Sequence, residues 1–298
     1  MTIVIPKDYH AKAALQQNRV LCIDHDDALT EDIRALRIGV LNIMPKAETY
    51  EFNLLNPLGR SVLQIEPVFI RLETHVYSSS DQEHLDKLYV YFEDAIKTDH
   101  LDGLIVTGAP VEEIPFEKVS YWEEIKRILK YARNNIPSTL GMCWGALAVA
   151  KFMGIEKITY PQKIFGVFAT KNLNRTHPIT GDLDDVFFCP QSRHSGLADD
   201  VLEQERDKGN VNLLAYAEHG GGYVILESAD GRFIMHLGHP EYGKRRLGEE
   251  YLRDKKLGRG DVKPPENYNL EKPVNCWRSH RNEFFSQWIK FTHETTSF

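Results

Sequence analysis

The stretch STLGMCWGALAVAKFMG, residues 138–154, constrains this chain more than any other. A short strand-like run reaches Gly141-Met142-Cys143-Trp144-Gly145 and passes directly into a nearly all-apolar helical run ending at Gly154. A helix that is apolar all round is buried. The pentapeptide has the G-x-nucleophile-x-G form of a nucleophile elbow. In such an elbow the nucleophile sits in a tight, strained turn, and neighbours without side chains let strand and helix pack closely. The nucleophile then projects into the crevice at the carboxyl end of the sheet, where open α/β sheets bind ligands. A thiol at a helix N-terminus is favoured as thiolate, and the unpaired N–H groups there can stabilise an oxyanion. The alternative reading is a buried structural cysteine at a Gly-rich turn.

The rest of the chain fits the same architecture. RIGVLNIM (37–44), LQIEPVFIRL (63–72) and DGLIVTGAP (102–110) read as strands, and Pro67 marks the second as an edge or a bulge. Tyr121, Trp122, Ile125, Ile128, Leu129 and Ala132 share one face of a helix. Strands alternating with helices make βαβ units and a mostly parallel sheet. Between residues 166 and 237 the runs VFFC, NLLAYA, GYVILES and RFIMHL are short strands parted by turns, which predicts an antiparallel portion. Residues 243–258 and 282–294 are amphipathic helices. The fold class is therefore α/β, a mostly parallel sheet flanked by helices. Residues 1–36 read as an N-terminal arm, and residues 37–298 as one domain.

Composition removes several functions. A net charge of -7 with no dominant basic patch argues against nucleic acid. No run of 18 apolar residues predicts a membrane span, and the N-terminus lacks a secretory signal, so the expected location is the cytoplasm. Cys22, Cys143, Cys189 and Cys276 show no paired spacing, and the His and Cys spacings match no metal-ligand pattern, so no metal is expected.

A thiol nucleophile needs an oriented base. Most histidines lie in polar stretches, whereas His239 follows the apolar run FIMHL in Gly238-His239-Pro240-Glu241-Tyr242. Glu241, two residues on, faces the same side in an extended segment, so His239 and Glu241 can supply base and orienting carboxylate. His236 is the rival base, but within an apolar run it reads as a satisfied core histidine.

An elbow cysteine with a distant His-Pro-Glu resembles the class I glutamine amidotransferase-like (flavodoxin-like) fold. Within it the chain is most similar to the homoserine O-acyltransferases, the transsuccinylases and transacetylases of methionine biosynthesis. The likeness is carried by RIGVLNIMP (37–45), IVTGAPVEE (105–113), VSYWEEI (119–125), STLGMCWGA (138–146), KIFGVF (163–168), PQSR (190–193), GHPEYGKRRLGEEYLRD (238–254) and CWRSHRNEFFSQWI (276–289). It spans nearly the whole chain, and the HPEY–EEYLRD and WRSH blocks are its most specific parts.

The resemblance implies a ping-pong reaction. Cys143 takes an acyl group from acyl-CoA, His239 acts as base and acid, and Glu241 orients it. Lys163, Ser192 and Arg253 match substrate-binding positions. An Arg fork suits the carboxylate of an amino-acid acceptor, and an exposed helix residue paired with Glu249 is the alternative for Arg253. Glu112 matches the donor-specificity position, with Ser192 also bearing on acyl-CoA choice. Glu there goes with acetyl-CoA, because it narrows the pocket and repels a succinyl carboxylate. The resemblance also implies small-molecule substrates, no bound cofactor and a homodimer. Two stretches depart from the family pattern: Lys46-Ala47-Glu48-Thr49-Tyr50-Glu51, and Gln191 followed by His194-Ser195-Gly196. Both would flank the acceptor, leaving L-homoserine and L-serine as candidates. A succinyltransferase and a Cys-His-Glu amidotransferase or hydrolase are the rival activities.

Overall fold

The computed structural model describes residues 2–296. The strands are β1 (Thr2–Val4), β2 (Leu21–Ile23), β3 (Leu36–Leu41), β4 (Ile65–Arg71), β5 (Val90–Tyr91), β6 (Gly103–Val106), β7 (Ser138–Met142), β8 (Lys157–Asn172), β9 (Val186–Leu197), β10 (Val211–Ala217), β11 (Gly222–Ser228) and β12 (Phe233–His236). The helices are α1 (Lys12–Gln17), α2 (His25–Thr30), α3 (Ala47–Leu58), α4 (Gln82–Leu88), α5 (Phe92–Thr98), α6 (Trp122–Asn135), α7 (Trp144–Phe152), α8 (Asp199–Asp207), α9 (Arg246–Lys256) and α10 (Arg278–Thr295).

The strands form one sheet in the order β2-β1-β4-β3-β6-β7-β12-β11-β10-β8-β9, with β5 beside β4. From β2 to β12 the pairs along this order are parallel; from β12 to β9 they are antiparallel. The central strands β6 and β7 are buried at every residue, as expected of parallel strands covered on both faces. One face packs against α3 and α10, through Leu54, Leu55, Leu58, Phe284, Phe285, Trp288 and Ile289. The other packs against α6 and α7, through Trp122, Ile125, Leu129, Trp144, Leu147 and Val149. Trp288 also donates its Nε1–H to Ser138 Oγ at 3.0 Å, which ties α10 to the start of β7.

The segment expected to be an arm is built into the sheet instead. Ile3 pairs with both Cys22 and Ile65, so β1 extends the parallel sheet and β2 forms its edge. Ile3, Val4 and Ile5 are buried. Three-residue strands between polar neighbours leave no periodic pattern to read, and tertiary pairing decides their structure. The edge reading of Pro67 holds locally: β1 meets β4 at Ile65 and β5 meets it at Ile70 and Arg71, so Pro67 lies in the gap between them.

Candidate active site

The elbow is formed by contacts its neighbours cannot relax. Cys143 has φ 50° and ψ -112°, a strained conformation for a residue with a side chain. A Cβ on Gly145 would lie 2.1 Å from the carbonyl oxygen of Val106, and one on Gly141 would lie 2.7 Å from that of Gly145. The N-terminus of α7 therefore sits directly on β6 and β7, and only glycine permits it. The Cys143 amide donates to the His236 carbonyl at 2.9 Å, so the β7–β12 ladder runs up to the nucleophile itself.

That pairing also delivers the base. Met142 is in register with His236, so the chain leaves β7 and β12 side by side on one rim. Three residues beyond His236, the His239 amide donates to the Pro190 carbonyl on β9 at 2.8 Å. The buried His239 ring stacks on Tyr242, with centroids 4.1 Å apart and planes 21° apart. Its Nδ1 lies 2.8 Å from Glu241 Oε1, and the ring also hydrogen-bonds the Cys143 side chain. Burial alone would lower the pKa of His239. The charges and hydrogen bonds of Cys143 and Glu241 outweigh it and hold the imidazole well above its ordinary value. The three residues singled out in the sequence thus form one connected Cys–His–Glu chain.

Cys143 and His239 lie at one wall of a cavity of about 680 Å³, lined also by Tyr50, Gly108, Glu112, Lys163, Ser192 and Arg253. Lys163, its side chain buried, has its Nζ 3.0 Å from Asp254 and 4.2 Å from the Phe165 ring centroid. Arg253, half exposed, also reaches Asp254 at 2.8 Å through Nε, so its carboxylate partner here is Asp254 rather than Glu249. Ser192 Oγ donates to Glu250 at 2.6 Å, and Glu250 accepts from Tyr242 as well at 2.7 Å. Glu112 is held by the β9 backbone: its carboxylate accepts from the amides of His194 at 2.8 Å and Ser195 at 3.3 Å. Burial raises its pKa in spite of those bonds and of the nearby Lys163.

His236 lies beneath this wall. Burial, reinforced by the charge of His239, pushes its pKa down to about 3, and its Nδ1 accepts from the Gly238 amide at 3.1 Å. It is the neutral core histidine that the apolar run suggested. Cys189 is buried and its thiol is pushed up, mainly by burial. Gln191 is buried and accepts from Arg193 Nε at 3.0 Å without lining the cavity.

The sequence reading did not single out Tyr50, nor the cavity-lining Tyr242, Glu250 and Asp254. Tyr50, buried on α3, donates to Glu241 Oε1 at 2.9 Å and lines the cavity. Its only sequence signal was its place in the divergent run 46–51. Trp277, from the WRSH block, is structural: its Nε1–H donates to the Tyr242 carbonyl at 2.9 Å and so braces the residue on which His239 stacks.

Solved structures share this architecture at low identity. A glutamine amidotransferase from Thermotoga maritima superimposes with a TM-score of 0.54 at 14% identity, covering 87% of this chain and 99% of that one. A glutamine amido transferase from Methylobacillus flagellatus gives 0.53 at 13%, covering 87% and 96%. These likenesses show the fold alone. Sequence comparison reaches further. A homoserine O-acetyltransferase of Lachnoclostridium phytofermentans is 37% identical over 98% of this chain and 97% of its own length. A homoserine O-acetyltransferase of Bacillus cytotoxicus is 39% identical over the same shares. Residues 2–298 match the family described as homoserine O-succinyltransferase. With full-length relatives, a full-length family match and the amidotransferase-like fold in agreement, the chain belongs to the homoserine O-succinyltransferase family of acyltransferases.

Proposed function

We propose that this protein moves an acetyl group from acetyl-CoA, through a thioester on Cys143, to the side-chain hydroxyl of L-homoserine. The observation that carries this reading is the buried Cys143–His239–Glu241 chain at the wall of a cavity large enough for substrates. The Cys143 thiolate attacks the carbonyl carbon of the donor thioester. The oxyanion that forms is held by the first N–H groups of α7, which have no partners within the helix. The bond to CoA sulfur breaks, and CoA leaves with the proton from His239. The acceptor hydroxyl then enters, His239 takes its proton, and its oxygen attacks the acyl-enzyme, restoring the Cys143 thiolate. Glu241 keeps Nδ1 as the donor nitrogen throughout, leaving the opposite nitrogen for proton transfer. Lys163, Ser192 and Arg253 form the substrate-binding wall, and Arg253, half exposed at the rim, meets the amino-acid carboxylate.

Acetyl rather than succinyl transfer is supported by the names of the full-length relatives and by the Glu112 carboxylate beside Lys163 in the cavity wall. The family description names succinyl, so the donor is a point of test. L-Serine is the second reading for the acceptor. The divergent run supplies Lys46, Thr49 and Tyr50 to the cavity wall, and the Tyr50 phenol occupies space there that a smaller side chain would leave to substrate. In this reading the enzyme works in the cytoplasm as a homodimer, in line with its family resemblance.

The test is release of CoA from acetyl-CoA or succinyl-CoA with each amino acid, read by a thiol reagent, together with intact mass after donor alone. Acetyl-CoA should leave an adduct of about 42 Da that is absent from Cys143→Ala, as covalent catalysis requires. Homoserine should give the higher kcat/KM. A higher value with serine would transfer the assignment to the second reading, and the absence of adduct and of amino-acid-dependent CoA release would end both.

A further inference from the structure

Beside α3, three side chains from separate parts of the chain converge. Glu51 of α3 is fully buried. His84 of α4 places Nε2 2.7 Å from Glu51 Oε1, and His10, just before α1, places Nδ1 3.8 Å from Glu51 Oε2. The nitrogen and oxygen atoms of this triad all lie within 4.8 Å of one another. The two imidazoles meet edge to face with centroids 4.9 Å apart. His84 is mostly buried and His10 is partly exposed, so the cluster opens to solvent on the His10 side.

A buried carboxylate flanked by two histidines has a simpler role, since Glu51 also accepts from Tyr9 at 2.6 Å and Tyr89 at 2.8 Å. The orientation of His10 argues for more. Its Nε2 lies 2.9 Å from the carbonyl oxygen of Glu48, an atom that can only accept. In the neutral ring the proton therefore sits on Nε2, and Nδ1 turns a lone pair toward Glu51. In that neutral form two acceptors face one another across 3.8 Å and do not attract, whereas a protonated His10 would pair with Glu51 as an ion. A backbone carbonyl fixing the tautomer of a histidine is, however, the usual outer support of a metal ligand.

We propose that His10, Glu51 and His84 form a binding site for a divalent cation of the zinc type. Two imidazoles and one carboxylate supply three ligands of the kind zinc takes, with a fourth position open to water or to the Tyr9 hydroxyl. On binding, His84 moves its proton from Nε2 to Nδ1, and the Nε2 lone pair enters the coordination. The ion clips the segment before α1 and α4 onto α3. That helix carries Tyr50, and so the site lies one residue from the donor to Glu241. The site stands independently of the acyl-transfer reading.

The test uses the full chain with Cys143→Ala, which removes the sulfur beside His239 as a competing zinc ligand. Chelator-stripped protein is given zinc chloride, desalted, and measured for bound zinc by mass spectrometry and for its melting temperature. About one zinc per chain should remain, and melting should rise by several degrees, as expected for a ligand of the native state. His10→Gln, at a partly exposed position, should leave the zinc-free melting temperature nearly unchanged and weaken zinc binding by about tenfold or more. His10→Gln with His84→Gln should retain no zinc. No retained zinc in the parent, or equal retention in the double variant, would overturn the site. A His10→Gln variant that loses stability without zinc and keeps its zinc response would leave Glu51 as a hydrogen-bonded anchor alone.

Discussion

Tyr50 and Glu112 each join the cavity to something outside it. Tyr50 shares Glu241 Oε1 with His239, so its hydroxyl helps hold the carboxylate in the plane the imidazole needs. Tyr50→Phe keeps the ring and removes that donor. A lost hydrogen bond to a buried carboxylate is worth about 1.5 kcal/mol or more, so kcat should fall about tenfold with little change in KM for acetyl-CoA. A change in KM for the acceptor alone would make Tyr50 a wall of the acceptor pocket rather than a support for Glu241. Two properties of Glu112 can be separated. Its Oε2 accepts from the His194 and Ser195 amides, and its carboxylate lines the cavity proposed to receive the acyl donor. Glu112→Gln keeps an acceptor oxygen and removes the charge. The ratio of kcat/KM for succinyl-CoA to that for acetyl-CoA should rise by about tenfold or more, since a buried like charge no longer opposes the succinyl carboxylate. An unchanged ratio would remove Glu112 from donor choice.

At the scale of elements, the elbow is a packing problem solved with two glycines. The first turn of α7 touches the β6 backbone, and the methyl of an alanine at position 145 would occupy the Val106 carbonyl. Because the obstruction is backbone, neither element can yield by a rotamer change. Gly145→Ala should destabilise the protein by about 3 kcal/mol or more, measured by urea unfolding, and should cost activity beyond the loss of folded protein. The strand-elbow-helix unit was legible because its cause is local: an apolar run, a glycine pair and a second apolar run. The position of His239 was legible as the end of a strand. Its closeness to Cys143 was not, because it depends on β12 lying parallel to β7 across almost a hundred residues of intervening chain. The same limit applies to β1 and β2, whose three residues each carry no period.

At the scale of the whole molecule, two buried histidines set opposing pH dependences. His236 has a folded pKa of about 3, below its ordinary 6.5, because burial disfavours its charge. The unfolded chain therefore binds this proton first. The stability tied to neutral His236 is complete above about pH 6.5 and is lost as pH falls toward 3, a loss on the order of 4 kcal/mol. His239 is shifted the other way: its contribution is complete below about pH 6.5 and is lost as pH rises through its raised folded value. His236→Asn retains an acceptor for the Gly238 amide and removes the titration. Its melting temperature should fall less steeply than that of the parent between pH 6 and 4, with the alkaline limb unchanged. Equal acid slopes would place the acid loss elsewhere.

By itself the sequence determined the α/β class, the strained cysteine, the His–Glu pair and the family, because each rests on local order: alternation, glycine placement, spacing of two, and contiguous motifs. Only the tertiary structure decided that Tyr50 reaches Glu241, that the N-terminal segment completes the sheet, and that His10, Glu51 and His84 meet. Those relations join residues far apart in the chain. Their geometry is fixed by strand order and helix docking, which a spacing rule cannot see.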